Sequence, residues 1–247
     1  MARRSETERR LYSHVRPKSA IAESFRTLRT NINFSAVDWP YKVILATSPG
    51  PEDGKSTVIT NLGVVMAQAK SRVLIMDCDL RKPVIHKYFN QASIRGLTNL
   101  LVQDLRLEDV VYATEVEGLF IIPSGPIPPN PSELLGSAKM VELLEEAAAA
   151  FDVVLLDAPP VIAVTDAMVL TPMVDSVLLV LKAGSSRIDM AREARDRLVR
   201  AGARSVGVVL NQADIRGGGY YPYHIYYYYG HREKPPGRNP GAREAAH

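Results

Sequence analysis

Residues 42–57 read KVILATSPGPEDGKST and combine the signals of a strand, a loop and a helix. Residues 42–47 form an apolar run that predicts a buried strand. A loop rich in Gly and Pro follows, and the residues from Lys55 to Ala69 have the pattern of a helix. A strand, a glycine-bearing loop and a helix in this order are typical of a site that binds phosphate groups.

The loop itself, residues 48–57, is called the phosphate loop below, and it carries the residue types that a phosphate chain requires. Gly54 permits close approach of a ligand to the backbone, Lys55 supplies a cation for phosphate oxygens, and Ser56 supplies a hydroxyl group for Mg²⁺. The loop departs from the pattern G-x-x-x-x-G-K-[ST] because Pro49 stands at the first glycine position. The predicted nucleotide-binding residues of the loop are Gly50, Pro51, Glu52, Asp53, Gly54, Lys55, Ser56 and Thr57.

Outside this stretch, short β-branched runs alternate with longer helical patterns. Several of the runs are almost entirely apolar, as are the strands of a parallel sheet that is covered on both faces. The alternation predicts an α/β fold: a doubly wound, mostly parallel sheet of P-loop NTPase type with helices on both faces. The other predicted strands are 72–77, 119–123, 152–157, 175–182 and 205–211, and the other predicted helices are 20–34, 137–150 and 187–201.

Two further apolar strands end in aspartate. Asp77 ends the strand 72–77 and Asp79 follows it, while Asp157 ends the strand 152–157. Ligands of open α/β sheets bind at the carboxyl ends of the strands, and Mg²⁺ prefers oxygen ligands such as these carboxylates. Each motif alone also fits an ordinary strand-end turn. Three strand ends that meet at one nucleotide favour a site for phosphate and magnesium.

Composition places the chain among ordinary globular proteins. Of its 247 residues 46% are hydrophobic and 23% are charged, which excludes a wholly disordered, collagen-like or disulfide-rich chain. Cys78 is the single cysteine, so no disulfide can form within the chain. No apolar segment reaches the roughly 20 uncharged residues that a membrane span needs, so we expect a soluble chain.

The formal net charge of +3 is unevenly spread along the chain. Residues 1–18 and 231–247 carry the basic excess, so the charge supports nucleic-acid binding only weakly, and no nucleic-acid partner is predicted. We predict a basic N-terminal tail over 1–18, a nucleotide-binding domain over 19–215 and a flexible tail over 216–247.

Tyrosine crowds the predicted second tail, since seven of the 11 tyrosines lie between positions 220 and 229. Gly217, Gly218 and Gly219 precede them and predict a flexible hinge. Lys and Arg are missing between 217 and 230, which disfavours stacking on nucleic-acid bases. Two alternatives remain: an adhesive tail without catalytic role, or a string of phosphate acceptors. The tyrosines are Tyr220, Tyr221, Tyr223, Tyr226, Tyr227, Tyr228 and Tyr229.

Together these motifs resemble those of the bacterial tyrosine kinases, P-loop kinases linked to the synthesis of capsule and exopolysaccharide. The resemblance covers roughly residues 17–230 and includes the D-x-D-x-R strand end at Asp77, the D-x-P-P element at Asp157 and the tyrosine cluster. It also includes the connecting segment 123–135. Three residues of the predicted helix 20–34 match the E-x-x-R-x-x-R oligomerisation helix of that family: Glu23, Arg26 and Arg29.

The resemblance implies a protein-tyrosine kinase that uses ATP and Mg²⁺ and phosphorylates its own tyrosine cluster between subunits. In that reading Lys55 and the loop amides hold phosphates, and Asp77 accepts or orients the proton of the attacking tyrosine. The resemblance places Asn211 at the adenine ring. The implied magnesium ligands are Ser56, Asp79 and Asp157.

The resemblance also implies partners. These are further copies of the chain in a homo-oligomeric ring, a transmembrane adaptor of the polysaccharide co-polymerase type that activates the kinase, and a tyrosine phosphatase and sugar-nucleotide enzymes as substrates. The expected location is the cytoplasm, at the inner face of the cell membrane. The alternative is an ATPase switch of the Min/Par type, which shares the fold and lacks kinase activity. Such switches carry a lysine five residues before the loop lysine, where this chain has Gly50.

Overall fold

The computed structural model describes residues 11–36 and 40–213. The strands in these ranges are β1 (Val43–Thr47), β2 (Val73–Asp77), β3 (Tyr112–Ala113), β4 (Leu119–Ile122), β5 (Val153–Asp157), β6 (Ser176–Lys182) and β7 (Val206–Asn211). The helices are α1 (Tyr12–Val15), α2 (Ala20–Ser35), α3 (Lys55–Gln68), α4 (Ile85–Tyr88), α5 (Leu97–Val102), α6 (Pro131–Leu135), α7 (Ala138–Ala150), α8 (Asp166–Leu170) and α9 (Ile188–Arg200). Short 3₁₀ turns cover Leu107–Asp109 and Thr171–Met173.

The seven strands form one sheet in the order β3-β4-β2-β5-β1-β6-β7. Every neighbouring pair is parallel except β3 with β4. Because β5 lies between β1 and β2, the carboxyl ends of these three strands are adjacent at one edge of the sheet. Asp157 at the end of β5 is in register with Asp77 on β2 and with Ala46 on β1. The predicted doubly wound α/β fold of P-loop NTPase type is confirmed.

Burial on both faces explains why the central strands are apolar throughout. All residues of β1 and β2 are buried. Val43 and Leu45 contribute to a core on one face of the sheet, whereas Ile44 and Ala46 contribute to a second core on the other face. Successive side chains of a strand point to opposite faces, so a strand between two helical layers has no polar face to present.

Helices α2 and α3 cover one face of the sheet and position the phosphate loop. Ala22 and Ile32 on α2 are buried, and nearly all of α3 is buried up to Ala67. Ser19 caps α2 by accepting a hydrogen bond from the backbone N–H of Ala22 at 3.2 Å. Gly54 is the N-cap of α3, so the phosphate loop runs directly from β1 into the first turn of a buried helix.

Six strands and four helices begin and end within one residue of their predicted positions. Strand β3 was not predicted, because two residues show no alternation. Helices α4, α5, α6 and α8 were not predicted either, because helices of four to six residues are too short to show a helical period.

The prediction of an N-terminal tail over residues 1–18 is wrong for residues 11–15. Leu11 and Ser13 are buried, and residues 12–15 form α1. The backbone N–H of Ser13 donates to Oδ1 of Asn61 on α3 at 2.9 Å. The Nε2 of Gln68 also donates to the carbonyl of Ser13 at 3.2 Å, so contacts with α3 that local polarity does not reveal fix this segment.

Within the described residues, no helix is long and apolar enough to cross a lipid bilayer. The predicted tyrosine cluster at 220–229 lies outside the described residues, as do the remainder of the 216–247 segment and residues 1–10.

Candidate nucleotide and catalytic site

The phosphate loop has a backbone that turns sharply just before α3. Gly54 has a φ of 90° and Glu52 a φ of 65°, both in the left-handed region. Glycine adopts that region freely, whereas a residue with a side chain pays a conformational penalty there. The turn brings the loop to the N-terminus of α3, where free backbone N–H groups and the helix dipole favour an anion.

Lys55, the first residue of α3, lies between two carboxylates. Its Nζ is 3.0 Å from Oδ2 of Asp79 and 3.3 Å from Oδ1 of Asp157, and the side chain is only 12% exposed. Burial alone would lower the pKa of Lys55, but the neighbouring Asp157 and Asp79 carboxylates outweigh it and raise the pKa above its usual value. The ammonium group is therefore a permanent cation at the point where the ends of β2 and β5 meet.

Asp157 at the end of β5 is held from two sides. Ser56 donates its hydroxyl to Oδ2 of Asp157 at 2.5 Å, while Lys55 contacts Oδ1. Burial raises the pKa of Asp157, and the ion pair with Lys55 and the bond from Ser56 oppose that rise. The predicted meeting of Ser56, Lys55 and Asp157 at one place is what the structure shows.

Asp77 is buried deeper and organises the loop that follows β2. Its Oδ2 accepts the backbone N–H groups of Val84 and Ile85 at 3.0 and 2.9 Å, and its Oδ1 accepts that of Asp79 at 3.3 Å. Burial, followed by repulsion from Asp157, raises the pKa of Asp77 to about 8. In this conformation its carboxylate is engaged by backbone amides inside the protein.

The donor set fits a magnesium ion that is shared with a phosphate chain. Asp79, Asp157 and Ser56 present carboxylate and hydroxyl oxygens around Lys55, and Mg²⁺ prefers such ligands. Residues 11–36 and 40–213 contain no cluster of three or more His, Cys, Asp or Glu side chains arranged as a complete metal site. Mg²⁺ does not need one, because it is commonly held by one or two carboxylates together with phosphate oxygens and water.

Asn211, the predicted adenine contact, lies against the phosphate loop. Its Nδ2 donates to the backbone carbonyl of Asp53 at 2.9 Å, and its Oδ1 accepts the N–H of Gln212 at 2.9 Å. The sequence did not predict this contact between Asn211 and the backbone of the phosphate loop.

Arg81, the arginine of the D-x-D-x-R strand end, forms an ion pair with a partner that the sequence did not predict. Its Nε and Nη2 donate to Oδ2 and Oδ1 of Asp166 at 2.9 and 3.0 Å, and Ser132 donates its hydroxyl to Asp166 as well. Asp166 is fully buried at the start of α8. The hydrogen bond to Asp166 raises the pKa of Arg81 further. Asp166 lies outside every element that the sequence predicted, so no sequence signal pointed to it or to its partner.

The three residues predicted to bind a neighbouring subunit all have partners within the chain. Arg26 pairs with Glu23 at 2.8 Å and donates to the carbonyl of Pro17 at 2.6 Å. Arg29 donates to the carbonyl of Val65 in the last turn of α3 at 2.7 Å. Their role in oligomerisation stays a prediction, and these contacts give them a second role that can be measured.

Comparison with known proteins defines first the class of protein. Residues 42–189 match the family described as an AAA domain, and the chain belongs to that family. The septum site-determining protein MinD from Pyrococcus horikoshii, complexed with Mg-ADP, superposes with a TM-score of 0.61 over 75% of this chain and 76% of that one, at 23% identity. This likeness shows a shared fold alone.

Closer relatives then give the particular family. The chain is 41% identical over 209 residues to tyrosine-protein kinase YwqD of Bacillus subtilis (strain 168), which is 85% of this chain and 88% of that one. It is 38% identical over 230 residues to the putative tyrosine-protein kinase CapB of Staphylococcus aureus, which is 93% and 99% of the two chains. The chain belongs to the bacterial tyrosine-protein kinases, and the predicted enzyme class is confirmed.

Solved structures agree with this assignment. The chimerical protein CapA2B2 superposes with a TM-score of 0.79 at 39% identity over 82% of this chain and 89% of that one. The kinase domain of Escherichia coli tyrosine kinase ETK superposes with a TM-score of 0.76 at 32% identity over 83% and 82% of the two chains. The likeness therefore extends beyond the phosphate loop to most of the described domain.

Proposed function

We propose that this kinase transfers the γ-phosphoryl group of ATP to tyrosines 220–229 of another copy of itself, and so regulates the synthesis and export of capsule or exopolysaccharide. The observation that supports the proposal most is the arrangement of Lys55 between Asp79 and Asp157, with Ser56 bonded to Asp157. A cation, two carboxylates and a hydroxyl at the N-terminus of a buried helix form a site for a phosphate chain.

The proposed roles follow from the chemistry of these groups. Lys55 and the free N–H groups of the phosphate loop hold the phosphates, so the ammonium leaves its carboxylate partners and turns to the nucleotide. Ser56, Asp79 and Asp157 would hold Mg²⁺, which neutralises charge on the phosphate oxygens. Phosphoryl transfer needs little beyond such positioning and charge neutralisation.

Asp77 is the proposed acceptor for the proton of the attacking tyrosine, whose phenol has an ordinary pKa of about 10. Burial and repulsion from Asp157 raise the pKa of Asp77 to about 8, which makes its carboxylate a stronger base than that of an ordinary aspartate. Its carboxylate is fully buried and bonded to the N–H groups of Val84 and Ile85. Proton transfer to Asp77 therefore requires the segment 79–85 to shift when the tyrosine enters.

The proposed cellular setting comes from the family resemblance. It comprises a cytoplasmic kinase at the inner face of the membrane, a homo-oligomeric ring built with Glu23, Arg26 and Arg29, and a transmembrane adaptor of the polysaccharide co-polymerase type that raises activity. A tyrosine phosphatase and sugar-nucleotide enzymes are the proposed further substrates. Each phosphate adds about −1.5 to −2 charges near pH 7, so a multiply phosphorylated tail is expected to leave the acidic site and to loosen the ring.

Transfer between chains can be tested with two complementary variants. A Lys55→Met chain keeps its tyrosines and lacks the loop cation, whereas a chain without residues 220–229 keeps the site and lacks the acceptors. Mixed with ATP and Mg²⁺, they should yield phosphotyrosine on the Lys55→Met chain. Circular dichroism checks that the Lys55→Met chain is folded. An Asp79→Asn chain serves as a second inactive acceptor in case Lys55→Met does not fold.

The matched control is Lys70→Met, which removes a lysine whose side chain is 85% exposed and should leave activity unchanged. An unlabelled acceptor in both mixtures would exclude phosphorylation between chains. Hydrolysis of ATP by the unaltered protein without any phosphotyrosine product would favour the Min/Par-type switch instead.

A further inference from the structure

The phosphate loop is held by the carboxyl ends of β6 and β7. Asn211, the last residue of β7, donates Nδ2–H to the backbone carbonyl of Asp53 at 2.9 Å. Nδ2 of Asn211 also lies close to Gly54: a Cβ added to Gly54 would be 2.1 Å from this nitrogen. Because Oδ1 of Asn211 accepts the N–H of Gln212, both ends of the amide are engaged and its orientation is set.

The side chain of Asp53 continues this contact to β6. Its Oδ2 accepts the N–H of Gly50 across the loop at 3.1 Å, and its Oδ1 accepts the hydroxyl of Ser186 at 2.7 Å. Ser186 in turn accepts the N–H of Lys182, the last residue of β6, at 2.7 Å. Asp53 is only 7% exposed, and these bonds are partly buried. The carboxylate of Asp53 thus links the phosphate loop to the end of β6, and its backbone carbonyl links the loop to Asn211 on β7.

The loop has a physical need for such support. Glu52 and Gly54 both have positive φ values, and Pro51 between Gly50 and Glu52 has no N–H to contribute. Backbone in sparsely populated conformations persists only where the surrounding structure fixes it. A loop that is fixed before its ligand arrives loses less conformational freedom on binding.

We propose that Asn211, Asp53 and Ser186 form a brace that holds the phosphate loop in the shape that binds phosphates, and that Asn211 contributes to nucleotide affinity through this brace. These are positioning residues. The proposal rests on the proposed function, because it takes a nucleotide as the ligand. A brace acts on the loop, so its loss weakens every ligand with a phosphate chain by the same factor, whatever base the ligand carries.

The test compares three ligands on the full chain with Mg²⁺: ATP, GTP and inorganic tripolyphosphate, by titration calorimetry. Asn211→Ala and Ser186→Ala are each expected to weaken all three about two- to tenfold, the change that loss of one hydrogen bond brings. The ratio of ATP to GTP affinity should equal that of the unaltered protein. Gln212→Asn, which keeps the backbone N–H donated to Asn211, is the matched control and should change nothing.

The outcomes separate the brace from its alternatives. A changed ATP to GTP ratio in Asn211→Ala, with tripolyphosphate affinity retained, would show that Asn211 reads the base and would overturn the brace. Unchanged affinities in Ser186→Ala would show that the bond between Ser186 and Asp53 does not support the loop. If the unaltered protein binds none of the three ligands, the proposed function itself fails. Thermal melting without ligand checks that each variant is folded. If Asn211→Ala does not fold, the affinities of Ser186→Ala test the brace.

Discussion

Lys55 and Asp79 form an ion pair of 3.0 Å, and the same ammonium lies 3.3 Å from Asp157, so in this state the lysine of the phosphate loop neutralises the carboxylates that would hold Mg²⁺. In the proposed function, the ammonium group exchanges these carboxylates for the phosphates when a nucleotide binds. Removing the lysine should therefore affect stability as well as activity.

Lys55→Met is expected to abolish phosphotyrosine formation and to destabilise the nucleotide-free protein by about 3 kcal/mol, because it leaves buried carboxylates without their counter-charge. Urea unfolding near neutral pH measures the change. The exposed Lys70→Met serves as the control. An unchanged free energy of unfolding in Lys55→Met would mean that the carboxylates do not depend on the lysine in solution.

The pH dependence of stability should report on Asp77. Its pKa is raised to about 8 in the folded protein, against about 3.9 for an aspartate in an unfolded chain. Between these values the folded state binds more protons than the unfolded state, so the free energy of unfolding falls as the pH rises from about 4 to about 8. Asp77→Asn removes this contribution and should flatten the profile, while Asp157 retains part of the slope through its own raised pKa.

Unfolding of the nucleotide-free, magnesium-free protein at about pH 5 and about pH 8 gives the two ends of this profile. The exposed Asp104→Asn is the matched control and should keep the slope of the unaltered protein. A slope in Asp77→Asn equal to that of the unaltered protein would show that Asp77 has an ordinary pKa in the fold.

The sequence predicted the sheet and the centre of the site because both depend on local patterns. Residues of β1 and β2 are apolar on both faces since both faces are covered, and this is visible without knowing the partners. Asp79 and Asp157 were placed together because parallel strands end at one edge of a sheet. Gly54 was predicted to allow close approach of a ligand, whereas the structure gives a conformational reason for glycine there, a φ of 90°.

The remainder of the site depends on pairs that are far apart in sequence. Arg81 and Asp166 are separated by 85 positions and Asp53 and Asn211 by 158, and no periodicity links such residues. Of these residues, Asn211 ends a predicted strand and Asp53 lies in the predicted phosphate loop, whereas Asp166 lies in no predicted element. What the sequence could not supply was which loop crosses which strand end, and that is set by the packing of the whole sheet.

Asp166 is expected to act on catalysis through Arg81. It accepts both guanidinium bonds from Arg81 and ties the loop after β2, which carries Asp79, to the start of α8. Asp166→Asn removes the charge that holds Arg81 and should lower kcat several-fold while the KM for ATP stays near that of the unaltered enzyme, because the phosphate loop is untouched. Phosphorylation of the Lys55→Met acceptor at several ATP concentrations separates the two constants.

Two variants sharpen the test of Asp166. Asp196→Asn removes one partner of an exposed ion pair on α9 and should leave both constants unchanged. Asp166→Glu restores the charge and should recover part of kcat. A rise in the KM for ATP with an unchanged kcat would contradict the assigned role, since it would place the effect on nucleotide binding.

Arg29 has a measurable function inside one chain as well as its predicted function between chains. Its Nη1 donates to the carbonyl of Val65 at 2.7 Å, in the last turn of α3, where carbonyl groups lack partners within the helix. A cation at a helix C-terminus is favourable, so Arg29→Ala should lower the free energy of unfolding of the monomer by about 1 kcal/mol.

Arg26 provides the comparison, because its pair with Glu23 is about one-third exposed and its bond to the carbonyl of Pro17 is exposed, and such contacts contribute little. Arg26→Ala should therefore leave monomer stability within about 0.5 kcal/mol and weaken self-association to a similar degree as Arg29→Ala, if both arginines bind a neighbouring subunit. Urea unfolding of dilute protein measures the first quantity, and light scattering across a range of concentrations measures the second. Loss of monomer stability in Arg29→Ala with self-association unchanged in both variants would assign Arg29 to α3 alone and remove these arginines from the ring interface.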